Sequence, residues 1–336
     1  MTDIMRAVAF TKSLPISDES SLTDIELPIP EPGPHDLLVR VEAVSVNPVD
    51  TKIRRRGDRD QPTVLGFDAA GTVVGRGAEV SLYDVGEDVM YAGANNRPGT
   101  DAQFHLVDQR LVGSKPASLT FAEAAALPLT TITAWEVLFD RLKVGADDKG
   151  TLLAVSAAGG VGSMLCQLAR TMTELTIVGT ASRDESRAWA SRMGAHHVVD
   201  HYGDLAAAVR AVAPDGVDYI FTPQSKDNIN AFADLITPFG SIAAIDDPGA
   251  IELMPLKAKS AAWLWESMFT RSLFETPDMV EQHRLLAAVA SMVDSGALQT
   301  TLTTELGPID AATLREAHRQ IESGTTIGKV VVAGWA

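Results

Sequence analysis

Apolar and polar positions alternate over short runs through the first third of the chain. RAVAF (residues 6–10), DLLVRVEAVSV (36–46), AAGTVVGRG (69–77) and DVGEDVMYAG (84–93) are separated by proline and glycine. Runs of this length and period predict strands, and a series of them predicts a β-rich unit, a partly closed barrel. The pattern then changes. Thr120 begins a helix that Pro128 breaks, and a second helix follows through Leu142. From Thr151 the apolar runs TLLAVSA, LTIVGTA, HHVVDH, VDYIFTP and GSIAAID are interleaved with helical stretches such as ESRAWASRMGA and DNINAFADLI. Strands spaced by helices predict an α/β unit with a parallel, doubly wound sheet. The closing run GTTIGKVVVAG, residues 324–334, is too apolar for an unpaired strand and is expected to rejoin the N-terminal unit. The domains are therefore read as 1–126 with 263–336, and 127–262.

Charge narrows the partners. A formal charge of −16 argues against nucleic acid, which needs a surplus of Lys and Arg. One basic cluster, KIRRRGDR at residues 52–59, reads as a solvated loop or a local anion site. The single cysteine, Cys166, precludes an intramolecular disulfide and a multi-thiolate zinc site. No apolar run reaches the ~18 residues of a membrane span, and the N-terminus lacks the pattern of a signal peptide. The expected location is cytoplasmic.

The chemistry concentrates in LLAVSAAGGVGSMLCQLAR, residues 152–170. A strand, a glycine-rich turn and a helix hold a dinucleotide because the turn is tight, the pyrophosphate approaches the backbone, and the helix packs close to the sheet. Ala157 occupies the first glycine position; Ala158, Gly159, Gly160, Val161 and Gly162 complete the cradle. The next strand ends at Thr180 or Ala181, where an NAD-preferring unit places an acid for the ribose 2′-hydroxyl. Here Ser182 and Arg183 stand instead, a hydroxyl and a guanidinium suited to a 2′-phosphate, so NADPH is expected over NADH. Ligands collect at the carboxyl ends of parallel strands, which adds Thr222, Ile245 and Asp246 to the cofactor contacts.

These residues, with NPVDTKIR (47–54), GFDAAGTVVGRGAEVSLYDVGEDV (66–89), LPLTTITAWEVL (127–138) and the terminal GKVVVAG, resemble the medium-chain dehydrogenase/reductase superfamily. Within it the chain is similar to the zinc-independent quinone oxidoreductase branch over nearly its full length. The resemblance implies a discontinuous GroES-like β-rich catalytic domain beside a Rossmann domain, and a homodimer, often through sheet edges. It also implies that Thr133 approaches the nicotinamide and that Gly328 and Lys329 close over the cofactor. The zinc alcohol dehydrogenases carry a Cys ligand where this chain has Asn47, and their Gly-His-Glu motif aligns with Gly66-Phe67-Asp68. The lobe that should follow Tyr91 has no cysteine, so no metal is expected. His196, His197 and His201 lie close in sequence on an expected strand, where 197 and 201 could share a face; a structural role at the sheet end is favoured.

Loss of zinc moves the expected reaction away from alcohol oxidation, which needs the alkoxide stabilised, toward hydride transfer from NADPH to an electron-poor quinone or enone. For polarisation of the acceptor the candidates are Asn47 through its amide, Asp50 as a positioning group, and Lys52 and Tyr91 as cationic or hydroxyl donors. A cap or ion pair is the competing role of Asp50. The aromatic stretch 261–279 reads as core or dimer packing at near-helical spacing, or as a slot for a flat acceptor lined by Trp265 and Phe269, with Phe67 as a third wall. Four functions remain: an NADPH-dependent quinone reductase, an enone or enal reductase, an NADPH-binding redox sensor or structural protein with little turnover, and a zinc alcohol dehydrogenase, which metal analysis of chelator-treated protein would settle.

Overall fold

The computed structural model describes residues 3–336, and its contacts divide the chain into two units. One comprises residues up to Ile132 together with Phe269–Ala336; the other is Thr133–Met268.

In the discontinuous unit a seven-stranded sheet is built around Asp36–Val46. On one side of it lie Lys329–Ala333 and then Leu302–Leu306; on the other lie Asp68–Arg76, Asp88–Ala92 and Val112–Ser114, while Phe104–Asp108 also pairs with it. The alternation read in the sequence sets the faces: Leu37, Val39 and Val41 are fully buried and Arg40 is exposed. The apolar C-terminal run is an antiparallel strand with Val330 opposite Val46 and Val332 opposite Val44. Its pairing returns the chain end to the N-terminal barrel, and Val330 and Val332 join Val8, Phe10, Val39 and Val107 in the core. A separate three-stranded sheet carries Ile4–Phe10 between Thr23–Pro28 and Thr63–Val64.

The second unit is a six-stranded parallel sheet. In spatial order it runs His197–Val199, Thr176–Thr180, Thr151–Ala154, Val217–Thr222, Ile236–Ala244 and Ala262–Trp265. The chain starts at the third of these strands, builds outward, then restarts on the other side, which is the Rossmann order. Leu153, Val178, Ile220 and Ile242 fill its core.

Both unit boundaries fall six residues later than expected. At the first, Pro128 does end one helix, but it also opens the next, Pro128–Trp135, because a first-turn position needs no N–H donor. At the second, the aromatic stretch is not helical where it begins. Trp263 pairs with Ile242 and Trp265 with Ala244, making Ala262–Trp265 the edge strand of the parallel sheet. Among the described residues no helix is long and apolar enough to cross a membrane.

Gly179, mid-strand in the parallel sheet, explains how Ala157 is accommodated in the glycine turn. A Cβ on Gly179 would lie 2.8 Å from the Ala157 Cβ and 3.2 Å from that of Ala195. The methyl that the turn gained is matched by one that the neighbouring strand lacks. Gly179→Ala is therefore expected to cost about 1–3 kcal/mol through overpacking, read as a lower urea midpoint with an unchanged slope.

Candidate cofactor site and buried polar cluster

The strand Thr151–Ala154 runs through a tight turn into the helix Gly160–Met172, with Gly159 as its N-cap. The turn is drawn in by two backbone bonds: Ala157 N–H donates to the Thr180 carbonyl at 3.0 Å and Gly159 N–H to that of Ser156 at 3.0 Å. Ser156 takes a positive φ of 57° to make it. At Gly162 a Cβ would sit 2.4 Å from the Ser156 carbonyl oxygen, so no other residue fits without moving the turn. The first i→i−4 bond of the helix is from Ser163 N–H to Gly159 O. The N–H groups of Gly160, Val161 and Gly162 precede it and point out of the helix end, a concentration of partial positive charge suited to a pyrophosphate. Ala158 is buried beneath this turn.

The neighbouring strand ends at Thr180, and Ser182 and Arg183 follow it at the same carboxyl edge. Arg183 is an exposed N-cap whose N–H donates to the Ser186 hydroxyl at 3.1 Å. Asp184 and Glu185 fall in the first helical turn, where acids complement the helix dipole. The Arg187 guanidinium donates to Val198 O at 2.9 Å, and Ala181 N–H donates to Val199 O, so the segment carrying Ser182 is tied to the next strand.

The other expected cofactor contacts have structural duties. Thr222 is buried and its hydroxyl accepts from Gln224 N–H. Ile245 N–H donates to Thr222 O at 3.1 Å. Asp246 accepts from the N–H and the hydroxyl of Ser225, at 2.7 and 2.6 Å, which closes the adjacent loop. Thr133 lies buried on the helix Pro128–Trp135, and Gly328 has a φ of 58°. The histidines do not share a strand face: His197 opens the strand His197–Val199, His201 lies beyond its end, and His196 accepts the Ile177 N–H at 3.0 Å. Among the described residues no three His, Cys, Asp or Glu are grouped to hold a metal ion.

The barrel unit contains a buried polar cluster centred on Asp68, a residue the sequence reading passed over as an aligned position. One Asp68 oxygen accepts from the Asn47 amide at 2.8 Å and from the Lys329 ammonium at 3.1 Å; the other accepts from Leu129 N–H at 2.7 Å. Asn47 donates its second amide hydrogen to Ser45 O at 3.1 Å, and its amide oxygen accepts from Lys329. Lys329 sends a further N–H toward Val46 O at 3.4 Å. The amide cannot be flipped, since its NH2 would then face the ammonium and its oxygen the carboxylate. Asn47, Asp68 and Lys329 are all within a few per cent of full burial.

Asp50 takes the capping role. Asn47 is the N-cap of the helix Pro48–Arg55, Pro48 follows it, and Asp50 accepts the Asn47 N–H at 2.6 Å and the Gly66 N–H at 3.2 Å. Burial raises its carboxyl from the usual range to about 7, against the lowering effect of those N–H groups and of Lys329.

Several expected donors are placed elsewhere. Lys52 is exposed on the helix Pro48–Arg55 and has no place in the cluster; Lys329, from the far end of the chain, supplies its ammonium. Lys329 is in turn enclosed in the barrel rather than presented at its surface. Tyr91 is fully buried, stacks on His105 at 5.5 Å and donates its hydroxyl to His105 Nδ1 at 3.2 Å, while His105 Nε2 donates to Pro98 O. Burial pushes the phenol well above its ordinary pKa. The basic run is not a solvated loop throughout: Arg54 is fully buried, donating to Leu14 O at 2.5 Å and pairing with Glu322. Phe67 and Phe269 pack edge to face at 5.2 Å. Trp265 belongs to the other unit, 52% exposed and packed on Trp263 at 5.7 Å.

A zinc ion does not fit this donor set. Phe67 offers no lone pair, the Asn47 oxygen and one Asp68 oxygen are taken by an ammonium, and a dication there would face that ammonium.

Residues 33–135 match the family model of the alcohol dehydrogenase GroES-like domain, and residues 193–332 that of a zinc-binding dehydrogenase. A zinc-type alcohol dehydrogenase-like protein of Staphylococcus aureus is 38% identical over 98% of this chain and 99% of its own. A quinone oxidoreductase of Pongo abelii is 28% identical over 92% of each. The solved structure of a candidate zinc-dependent alcohol dehydrogenase from Rhizobium etli superposes with a TM-score of 0.96 at 50% identity, over 100% of both chains. The Escherichia coli quinone oxidoreductase complexed with NADPH shares the fold, with a TM-score of 0.83 at 22% identity over 98% of this chain and 99% of that one.

Proposed function

This chain belongs to the medium-chain dehydrogenase/reductase superfamily, as a zinc-type alcohol dehydrogenase-like oxidoreductase related to the quinone oxidoreductases, and from that premise we propose that it reduces quinones with NADPH and without zinc. The observation that carries the reading is the saturation of the buried cluster. Both Asn47 amide hydrogens and the Lys329 ammonium are committed inside the barrel. Tyr91 is sealed in the core and Lys52 lies outside the cluster. No group in the cluster is left to polarise a carbonyl strongly, so the acceptor must already be electron-poor. A quinone meets that condition; an unactivated ketone or alcohol does not.

Bound NADPH would supply the hydride. On the protein side, Gly160, Val161 and Gly162 would hold the pyrophosphate by backbone N–H groups, with the Gly159 N–H spent on closing the turn. Ser182 and Arg183 would take the 2′-phosphate, one by hydrogen bond and one by charge. The Escherichia coli quinone oxidoreductase, which shares the fold, was solved with NADPH, and that supports NADPH as the cofactor. Phe67 and Phe269, packed edge to face, would border an apolar slot for the acceptor. The unpaired edge of Ala262–Trp265, with Trp265 half exposed, supports a homodimer formed along that edge.

The test is chelator-treated protein with NADPH, a simple quinone and a simple enone offered separately, followed at the nicotinamide absorbance band. Quinone-dependent loss of NADPH, faster than with the enone and faster than with NADH, is the expected result. A faster enone reaction would reassign the acceptor class. NADPH binding without turnover on either would favour a redox sensor.

A further inference from the structure

The basic run at residues 52–59 contains one arginine that the cofactor reading leaves unexplained. Arg54, on the helix Pro48–Arg55, is fully buried. Its guanidinium donates to Leu14 O at 2.5 Å and pairs with Glu322, but its Nε–H has no hydrogen-bond partner among the described residues. Two more fully buried side chains share that condition: Ser21 through its hydroxyl, and His318 through both ring nitrogens. Buried polar atoms are almost always paired, with protein or with ordered water.

One helix face brings the three together. Arg315, His318 and Glu322 stand at i, i+3 and i+7 on the helix Ala311–Glu322, a single stripe. At one end of it Arg315 donates to Glu19 O at 2.9 Å and to Leu22 O at 2.7 Å, the carbonyls that bracket Ser21. At the other end Glu322 holds Arg54. His318 lies between these contacts, about one helical turn from each. The neighbours Leu22, Ile53, Leu314, Ala317 and Ile321 pack into the apolar core and offer no polar side chain.

The inventory of donors and acceptors selects the occupant. Burial, and then the charge of Arg54, lowers the His318 imidazole to about 3, so at neutral pH it presents one donor and one acceptor. Arg54 adds a donor, and the Ser21 hydroxyl is both. An anion would satisfy the donors only and leave the bare imidazole nitrogen unpaired. The charge of Arg54 is, moreover, already met by Glu322. Water both donates and accepts, and it bridges buried polar groups that converge without reaching one another.

We propose that the helix Ala311–Glu322 closes over an internal hydration site, in which ordered water bridges Arg54 Nε–H, both nitrogens of a neutral His318 and the Ser21 hydroxyl. One water accepts from Arg54 and donates to the bare His318 nitrogen. A second accepts the His318 N–H and bonds Ser21. The water thereby completes the seat of the helix Pro48–Arg55, which carries Asn47 as its N-cap at the opposite end. This inference is independent of the cofactor and the acceptor.

The experiment is a high-resolution crystal structure of the full chain grown with bromide as the only halide. Water oxygens about 2.7–3.2 Å from Arg54 Nε and from both His318 nitrogens are the expected result, with no anomalous scattering there. A bromide peak would assign the site to an anion, and a dry site would leave the nitrogens unpaired; either overturns the proposal. Urea unfolding of His318→Leu and His318→Gln at neutral pH gives a second reading. With bridging water, leucine strands Arg54, Ser21 and the water and lowers the midpoint, while glutamine keeps a donor and an acceptor and retains more of it. In a dry site, leucine removes two unpaired nitrogens and raises the midpoint, which would overturn the proposal. Should the leucine variant fail to fold, Ser21→Ala is read in the same way, and the wild-type structure decides the site by itself.

Discussion

Lys329→Met should lower the stability of the chain by about 3–5 kcal/mol, the cost of leaving a buried carboxylate without its partner. Lys329 and Asp68 form an ion pair at 3.1 Å with side chains 4% and 0% exposed, in the interior of the barrel. Methionine preserves most of the apolar stem but removes the donors to Asp68, Asn47 and Val46. Denaturant unfolding should show a lower midpoint for the single variant. The double variant Lys329→Met with Asp68→Asn should recover a large part of the loss, because no buried charge is then uncompensated. The alternative expectation, that Lys329 chiefly closes over the cofactor, makes the opposite forecast: weaker NADPH binding at unchanged stability. Measuring unfolding and NADPH affinity on the same preparations separates the two.

Arg183→Glu should raise the dissociation constant for NADPH by about 10–100-fold and leave that for NADH nearly unchanged. A charge-assisted hydrogen bond contributes about 1.5–3 kcal/mol, and the substitution also places a repelling carboxylate at the 2′-phosphate. Arg183 is exposed at the carboxyl edge of the sheet and caps its helix with a backbone N–H, so its replacement should not disturb the fold. Nucleotide fluorescence titration reads both constants directly. Equal losses for the two cofactors would mean that Arg183 supports the turn and not the phosphate. No loss for either would remove the 2′-phosphate contact from the reading.

The fold was readable because its signals are local and periodic. Alternation in Asp36–Val46, the strand–turn–helix at Thr151–Met172 and the apolar run at Lys329–Ala333 each report their own environment, since a strand buried on one face must alternate and one buried on both need not. The expected rejoining of the C-terminal strand rested on that logic and is met by the Val330–Val46 register. The Ala262–Trp265 segment was misread because aromatic spacing over so short a stretch fits a helix as well as a strand; its pairing with Ser241–Ala244 decides it.

The candidate site divides along the same line. Sequence alone determined the family, the two-unit α/β architecture and the glycine turn, with Ser182 and Arg183 beyond it, because these depend on residues adjacent in the chain. Which polar groups remain free for chemistry was decided only in three dimensions. Asn47 and Asp68 lie 21 positions apart and Lys329 a further 261, and nothing local says that they will satisfy one another. Tyr91 and Lys52 looked like donors by residue type, but strand register turned one into the core and the helix face turned the other to solvent. A side chain's capacity to donate is written in its chemistry, but whether that capacity is already spent depends on the partners that long-range packing brings within about 3 Å.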